Sequence, residues 1–207
     1  MKADSRVHVI DDDDASRESL VFLLGSAAIE AIGHASAETF LAALSEADPA
    51  CVVTDVRMPG MSGIDLLRHL GEIGRPLPVI VMTGHGDVPM AVEALKAGAL
   101  DFIEKPFEDE HMIGVVRGAL EQATARRRQA EDKAAMLARL DTLTTRERQV
   151  FDGLVAGNPN KTIAYDLGIS PRTVEIYRAN VMAKLEAASL SDVIRIAFLA
   201  EEANRSI

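Results

Sequence analysis

The chain has 207 residues, 48% of them apolar and 26% charged, with a formal net charge of −10. That length suits one large domain or two small ones, and the apolar share is enough for packed cores. No apolar run approaches the roughly 18 residues of a membrane span; the N-terminus lacks the long apolar stretch of a signal peptide; and a single cysteine, Cys51, excludes a disulfide framework and a Cys-rich zinc site.

The expected compartment is a reducing cytoplasm. The acid is concentrated in the first part: residues 1–120 carry 20 acidic and 9 basic groups, and residues 141–207 carry 9 and 8. A globally basic nucleic-acid binder is excluded, but a local basic surface in the last third is not.

The first 120 residues alternate short β-rich runs with helical patterns. Strands are expected over 7–10, 28–34, 51–54, 79–82 and 100–103. Helices are expected over 15–26, 37–44, 62–70 and 88–97. Ser62 and Asp65 have capping-box spacing, and Gly98 stops the fourth helix. Five strand–helix alternations predict a doubly wound α/β domain with a parallel sheet.

From about Asp109 the pattern stays helical, and no Gly or Pro occurs between Glu121 and Leu143. Residues 123–141 read as a helical linker, with Arg126, Arg127 and Arg128 on a solvated face. After Leu143 short helices follow without strands. Thr144 and Glu147 form a capping box, and Ser170-Pro171 is a helix start. The expected domains are 1–122, a linker at 123–141, and a four-helix domain at 142–207.

The chemistry sits at predicted strand ends. Asp11 and Asp12 follow the first strand, Asp55 the third, Thr83 the fourth and Lys105 the fifth. An open α/β sheet binds ligands beyond the carboxyl ends of its strands, where strand order reverses. In the order 2-1-3-4-5 the aspartates converge there. Clustered carboxylates repel one another, and oxygen-only ligands with open positions suit Mg2+. A carboxylate can attack phosphorus to form an acyl phosphate. Mg2+ and Lys105 would neutralise the phosphoryl oxygens and Thr83 would donate a hydrogen bond. Asp13 and Asp14 read as caps of the first helix. The histidines at 8, 34, 69, 85 and 111 show no metal-ligand spacing. Cys51 opens a buried strand and reads as an inert core residue.

Asp11-Asp12, Asp55, Thr83 and Lys105-Pro106, with the runs Val53 to Gly63 and Lys96 to Phe107, resemble the receiver domain of two-component response regulators. The resemblance implies that Asp55 accepts phosphate from a sensor histidine kinase. It implies that Asp12, Asp55 and the Arg57 carbonyl hold Mg2+ with Asp11 in support, that Thr83 and Phe102 form a switch pair, and that Lys105–Pro106 is cis. It also places a phosphorylation-dependent dimer interface at Val92 and Lys96.

Residues 142–207 resemble the LuxR-type helix-turn-helix module, through Leu143, Thr144, Arg146, Glu147, Gly157, Asn160, Lys161, Ile163, Ala164, Leu167, Ile169, Ser170, Thr173, Val174, Lys184 and Leu185. Tyr177 departs from the frequent histidine. In a helix over 171–185, Val174, Tyr177, Val181 and Leu185 form the core stripe. Arg172, Glu175, Ile176, Ala179 and Ala183 form the opposite stripe, which would face the major groove. Glu175 could read cytosine, and Ile176 and Ala179 a thymine methyl. Lys161, Arg172, Arg178 and Lys184 are placed for phosphates, with Thr173 a hydroxyl contact.

Through the runs Thr83 to Ala94 and Ile169 to Glu175, the whole chain resembles the FixJ-type branch of these regulators. That implies a transcriptional activator of nitrogen-fixation or low-oxygen genes, with a FixL-like kinase, promoter DNA and RNA polymerase as partners, and no turnover enzyme. The competing reading is an aspartate-nucleophile phosphatase of the haloacid-dehalogenase kind, because residues 11–14 contain Asp-x-Asp spacing. It lacks the lysine required after the Thr83 strand. A protein-binding adaptor is a third reading, separated by DNA binding.

Overall fold

The computed structural model describes residues 6–44, 50–75, 77–84 and 88–205, so His85 lies outside the described residues. The chain divides into two compact units, Met1–Arg126 and Arg127–Ile207.

In the first unit, strands β1 (Val7–Ile10), β2 (Ala31–His34), β3 (Cys51–Asp55), β4 (Val79–Thr83) and β5 (Asp101–Glu104) alternate with helices. The helices are α1 (Asp14–Ser26), α2 (Ala37–Ala43), α3 (Gly63–Glu72), α4 (Val88–Lys96) and α5 (Asp109–Asp141). The sheet is parallel throughout, in the order β2-β1-β3-β4-β5. The central strands are apolar runs because both faces are covered. Val7, Val9, Cys51, Val53, Ile80 and Met82 pack under α1 and α5. The alternate residues Ile10, Val52, Val79 and Val81 pack under α2, α3 and α4. Cys51 is fully buried, and burial pushes its thiol up to about 12. It is inert at neutral pH.

β2 starts three residues later than the sequence suggests. Ala28 takes a left-handed conformation (φ 59°), and the residues after α1 form a turn. Asp13 is the N-cap of α1, its carboxylate accepting the Ser16 N–H at 2.7 Å. Only half of the expected box forms on α3. Ser62 accepts the Asp65 N–H, but the Asp65 carboxylate accepts the Ser62 hydroxyl at 2.6 Å. An aspartate is one methylene shorter than the glutamate that reaches back to the cap N–H.

Beneath α2, His8 and His34 stack, Nδ1 of one 2.8 Å from Nε2 of the other, with Phe40 edge-on to both rings. Burial, and then the neighbouring His8, lower the His34 pKa from 6.5 to about 4. The unfolded chain therefore takes up this proton at higher pH than the folded one. Stability from His34 is complete above about pH 6.5 and is lost as pH falls toward about 4, by up to about 3 kcal/mol. His34→Leu is expected to flatten the pH dependence of the urea midpoint across that window. Parallel slopes in the native chain and the variant would exclude the pair as the cause.

The second unit packs α6 (Thr145–Val155), α7 (Asn160–Leu167), α8 (Pro171–Lys184) and α9 (Leu190–Arg205). Thr144 and Glu147 form a complete capping box, and Ser170 caps α8 with Pro171 at its first position. Gly168, left-handed at φ 65°, ends α7. One cluster gathers Val150, Leu154, Ile163, Ala164 and Val174. Another gathers Phe151, Val181, Leu185, Val193 and Ile196, and it includes Leu140 from the end of α5. The last turn of the expected linker therefore belongs to this core. Among the described residues no helix is long and apolar enough to cross a membrane.

Candidate functional site

Parallel register aligns the strand ends. Ile10 pairs with Thr54, Asp55 with Met82, and Thr83 with Glu104. Asp11, Asp55, Thr83 and Lys105 thus gather beyond the carboxyl ends of four adjacent strands, flanking the β1–β3 junction where strand order reverses. Asp11, Asp55 and Thr83 are nearly fully buried, and Asp12 is exposed.

Lys105 Nζ donates to Asp11 Oδ2 at 2.7 Å, to Asp55 Oδ1 at 2.8 Å and to Ser16 Oγ at 3.2 Å. Burial favours the neutral amine, but hydrogen bonds and charge from Asp11 and Asp55 outweigh it, and the Lys105 pKa is raised above its ordinary value. The second oxygen of each aspartate is held by backbone: Asp11 Oδ1 accepts the Asp13 N–H at 3.0 Å, and Asp55 Oδ2 the Arg57 N–H at 2.7 Å. The Arg17 guanidinium donates to the Asp11 carbonyl at 2.7 Å and pairs with Asp14. Lys105 N–H bonds the Thr83 carbonyl at 2.7 Å, and the Lys105–Pro106 bond is cis. Phe102 is half-buried against the α3–α4 side of the sheet.

The donors at this pocket are oxygens, which suit a hard cation. Among the described residues, no three carboxylate, imidazole or thiol groups converge closely enough to hold a metal by themselves. The Asp12 and Asp55 carboxylates, with Asp11 beside them, could hold such an ion together with backbone and water oxygens.

A second surface lies on α8. Val174 and Val181 are buried inward, while Arg172, Glu175, Ile176, Ala179 and Ala183 are exposed on the opposite stripe, as the periodicity requires. Arg172 and Glu175 pair at 3.1 Å. Lys161 is exposed on the first turn of α7, and Arg178 is half-buried. The Thr173 hydroxyl lies 2.8 Å from that of Ser170. On α4, Val92 and Lys96 are exposed.

The response regulator receiver domain family matches residues 7–117, and the bacterial regulatory protein luxR family matches residues 141–197. The chain is 57% identical to the transcriptional regulatory protein FixJ of Azorhizobium caulinodans over 194 residues, covering 94% of this chain and 92% of that one. The chain belongs to the FixJ-type response regulators. FixJ of Rhizobium meliloti is 54% identical, with 94% and 95% covered. Among solved structures, the response regulator StyR superposes with a TM-score of 0.81 at 40% identity, covering 93% of this chain and 97% of that one. Full-length FixJ from B. japonicum gives 0.57 at 48% identity, covering 98% of each. A FixJ-type regulator joins a receiver to a LuxR-type DNA-binding domain. These relatives are transcriptional regulators, which leaves the phosphatase reading without support.

For this FixJ-type chain one expected DNA contact is corrected. Lys184 donates to Glu147 Oε2 at 2.6 Å and to the Thr142 carbonyl at 3.1 Å. Glu147 is buried, and hydrogen bonds from Lys184 and then from the Thr144 backbone lower its pKa to about 2. Lys184 is thus a structural cation of the second unit rather than a phosphate contact. Lys184→Ala strands a buried carboxylate. It should lower the melting temperature of residues 127–207 in the pH 5–8 range, with partial recovery in Glu147→Gln/Lys184→Ala. A variant that melts with the native protein but binds DNA more weakly would restore the phosphate role.

Sequence reasoning also passed over Ser16 and Arg17. No local signal marks the Ser16 role, because the lysine that it holds lies 89 residues away, whereas Arg17 meets Asp14 at the ordinary i,i+3 spacing of a helical ion pair.

Proposed function

We propose that Asp55 is the phosphoacceptor of a sensor histidine kinase of FixL type, and that its phosphorylation drives dimerisation and promoter binding. The observation that carries this reading is the buried Asp55 carboxylate beside the Lys105 ammonium at the strand-order reversal, 2.8 Å apart.

An oxygen lone pair of Asp55 attacks phosphorus, and the kinase imidazole nitrogen leaves with the electrons of the broken N–P bond. Lys105 stays charged and turns from the carboxylate to a phosphoryl oxygen. Thr83 donates its hydroxyl to another. Asp12, Asp55 and the Arg57 carbonyl would hold Mg2+, with Asp11 in support, and the ion would neutralise charge on the transferred group. Arg57 N–H keeps the other Asp55 oxygen in place.

Movement of Thr83 toward the phosphoryl group would leave space for Phe102 to turn inward. That alters the face carrying Val92 and Lys96, the proposed dimer contact. Lys161, Arg172 and Arg178 would meet phosphates and Thr173 would contribute its hydroxyl. Glu175, Ile176 and Ala179 would read bases. Dimers would favour two-fold related half-sites. Genes of nitrogen fixation or low oxygen, read with RNA polymerase, are the targets that the FixJ relatives suggest. Residues 123–141 connect the domains, with Leu140 anchored in the second.

Labelling with kinase and ATP, followed by DNA binding with and without phosphate, tests the reading. Phosphorylation should tighten DNA binding at least tenfold, and Val92→Asp should abolish dimerisation while leaving labelling unchanged. A fragment of residues 127–207, which keeps Leu140, should bind DNA without phosphate if the receiver restrains it. DNA affinity that ignores phosphorylation would defeat the switch.

A further inference from the structure

We propose that Ser16 is a positioning residue for phosphoryl transfer: its hydroxyl is the third acceptor that fixes the Lys105 ammonium between Asp11 and Asp55. The proposal rests on Asp55 being the phosphoacceptor.

A lysine ammonium has three N–H donors and no acceptor. All three find oxygen here: Asp11 Oδ2 at 2.7 Å, Asp55 Oδ1 at 2.8 Å and Ser16 Oγ at 3.2 Å. The acceptors come from the end of β1, the end of β3 and the first turn of α1. Ser16 donates its own proton to Asp11 Oδ2 at 2.7 Å. Ser16, Asp11 and Lys105 therefore close a triangle of hydrogen bonds, in which the serine is both donor and acceptor.

The triangle is anchored by local structure. Asp13, the N-cap of α1, accepts the Ser16 N–H at 2.7 Å, and its own N–H holds Asp11 Oδ1 at 3.0 Å. The hydroxyl is thus aimed by the cap.

During transfer from acetyl phosphate, an Asp55 oxygen forms the new O–P bond and acetate leaves with the electrons of the old one. Lys105 then needs to redirect one hydrogen bond, from Asp55 to a phosphoryl oxygen, while those to Asp11 and Ser16 persist. Without the hydroxyl, one N–H of a side chain that is 23% exposed turns to water, and Asp11 loses a donor. The ammonium then samples orientations that do not face phosphorus.

Ser16→Ala is expected to lower the maximal rate of labelling by acetyl phosphate about five- to tenfold, the net scale of one ordinary hydrogen bond. The acetyl phosphate concentration for half-maximal rate should not change, and Ser16→Thr should restore the rate. The second readout needs no phosphate. The Lys105 Nζ ammonium protons, held by three acceptors, should give a resolved 1H–15N signal in the full-length native protein. That signal should be lost to solvent exchange in Ser16→Ala and return in Ser16→Thr. Equal maximal rates for the native chain and Ser16→Ala overturn the proposal, as does a Lys105 signal that survives in Ser16→Ala. Failure of the native chain to be labelled by acetyl phosphate and by a histidine kinase alike would instead overturn the phosphoacceptor reading.

Discussion

Asp55→Asn is expected to abolish Mg2+-dependent labelling by acetyl phosphate and by a histidine kinase while leaving the fold intact. The amide matches the carboxylate in shape, so the backbone around this residue, 8% exposed, can stay in place while Lys105, now facing the amide NH2, turns from it. Its oxygen can still accept the Arg57 N–H that now reaches Asp55 Oδ2. The amide has no anionic oxygen to attack phosphorus, so the acyl phosphate cannot form. Lys105 keeps its bond to Asp11, which prevents an unpaired buried cation. Intact mass after incubation with acetyl phosphate gives the labelling, and far-ultraviolet circular dichroism and thermal melting report the fold. Labelling of a folded variant at the native level would place the acceptor elsewhere, with the exposed Asp12 the first residue to test.

What the sequence made legible, and what it hid, divides along chain separation. Asp11, Asp55 and Lys105 could be found because each stands at the end of an apolar run, and the parallel fold follows from five such runs between helical patterns. The order β2-β1-β3-β4-β5 then brings those ends together. The Ser16 hydroxyl had no such marker. Its role depends on Lys105, which reaches it only through the folded sheet. Lys184 misled for the opposite reason. A lysine in the last turn of a helix with an exposed outward stripe looks solvated, and the capping box already gives Glu147 a role. Its Oε2 accepts from the Thr144 N–H at 2.8 Å and the Thr144 hydroxyl at 2.9 Å, as capping spacing implies, but also from Lys184 at 2.6 Å, 37 positions away, which no spacing rule reveals. Leu140 was obscured by its setting, a charged stretch that contains Arg139 and Asp141, although it is 4% exposed in the second core. The pairing of His8 with His34 was likewise invisible, because neighbouring strands bring together residues 26 positions apart.

Gly63→Ala is expected to slow labelling of Asp55 about a hundredfold without unfolding the chain. Gly63 opens α3, where that helix passes against the end of β3. A Cβ there would stand 2.2 Å from the Asp55 carbonyl oxygen and 3.0 Å from Thr54 Cγ2. The obstacle is backbone, so no side-chain rotation relieves it. Ordinary carbon–oxygen contacts begin near 3.3 Å, so strand end and helix start must separate by roughly 1 Å. The same glycine donates its N–H to the Val56 carbonyl at 3.1 Å, which ties α3 to the loop that follows the phosphoacceptor. The displacement therefore moves Asp55 relative to Lys105 and shifts the Arg57 backbone together with it. A misplacement of about 1 Å in a reacting group costs on the order of 10²-fold in rate. Gly71→Ala is the matched control, because it lies on the same helix with nothing within 4 Å of the added methyl, and it should label at the native rate. DNA binding by the second domain, measured in parallel, separates a displaced phosphoacceptor from a generally damaged protein. Native labelling by Gly63→Ala would show that β3 and α3 separate freely, and that the tight approach at Gly63 does not set the geometry of Asp55.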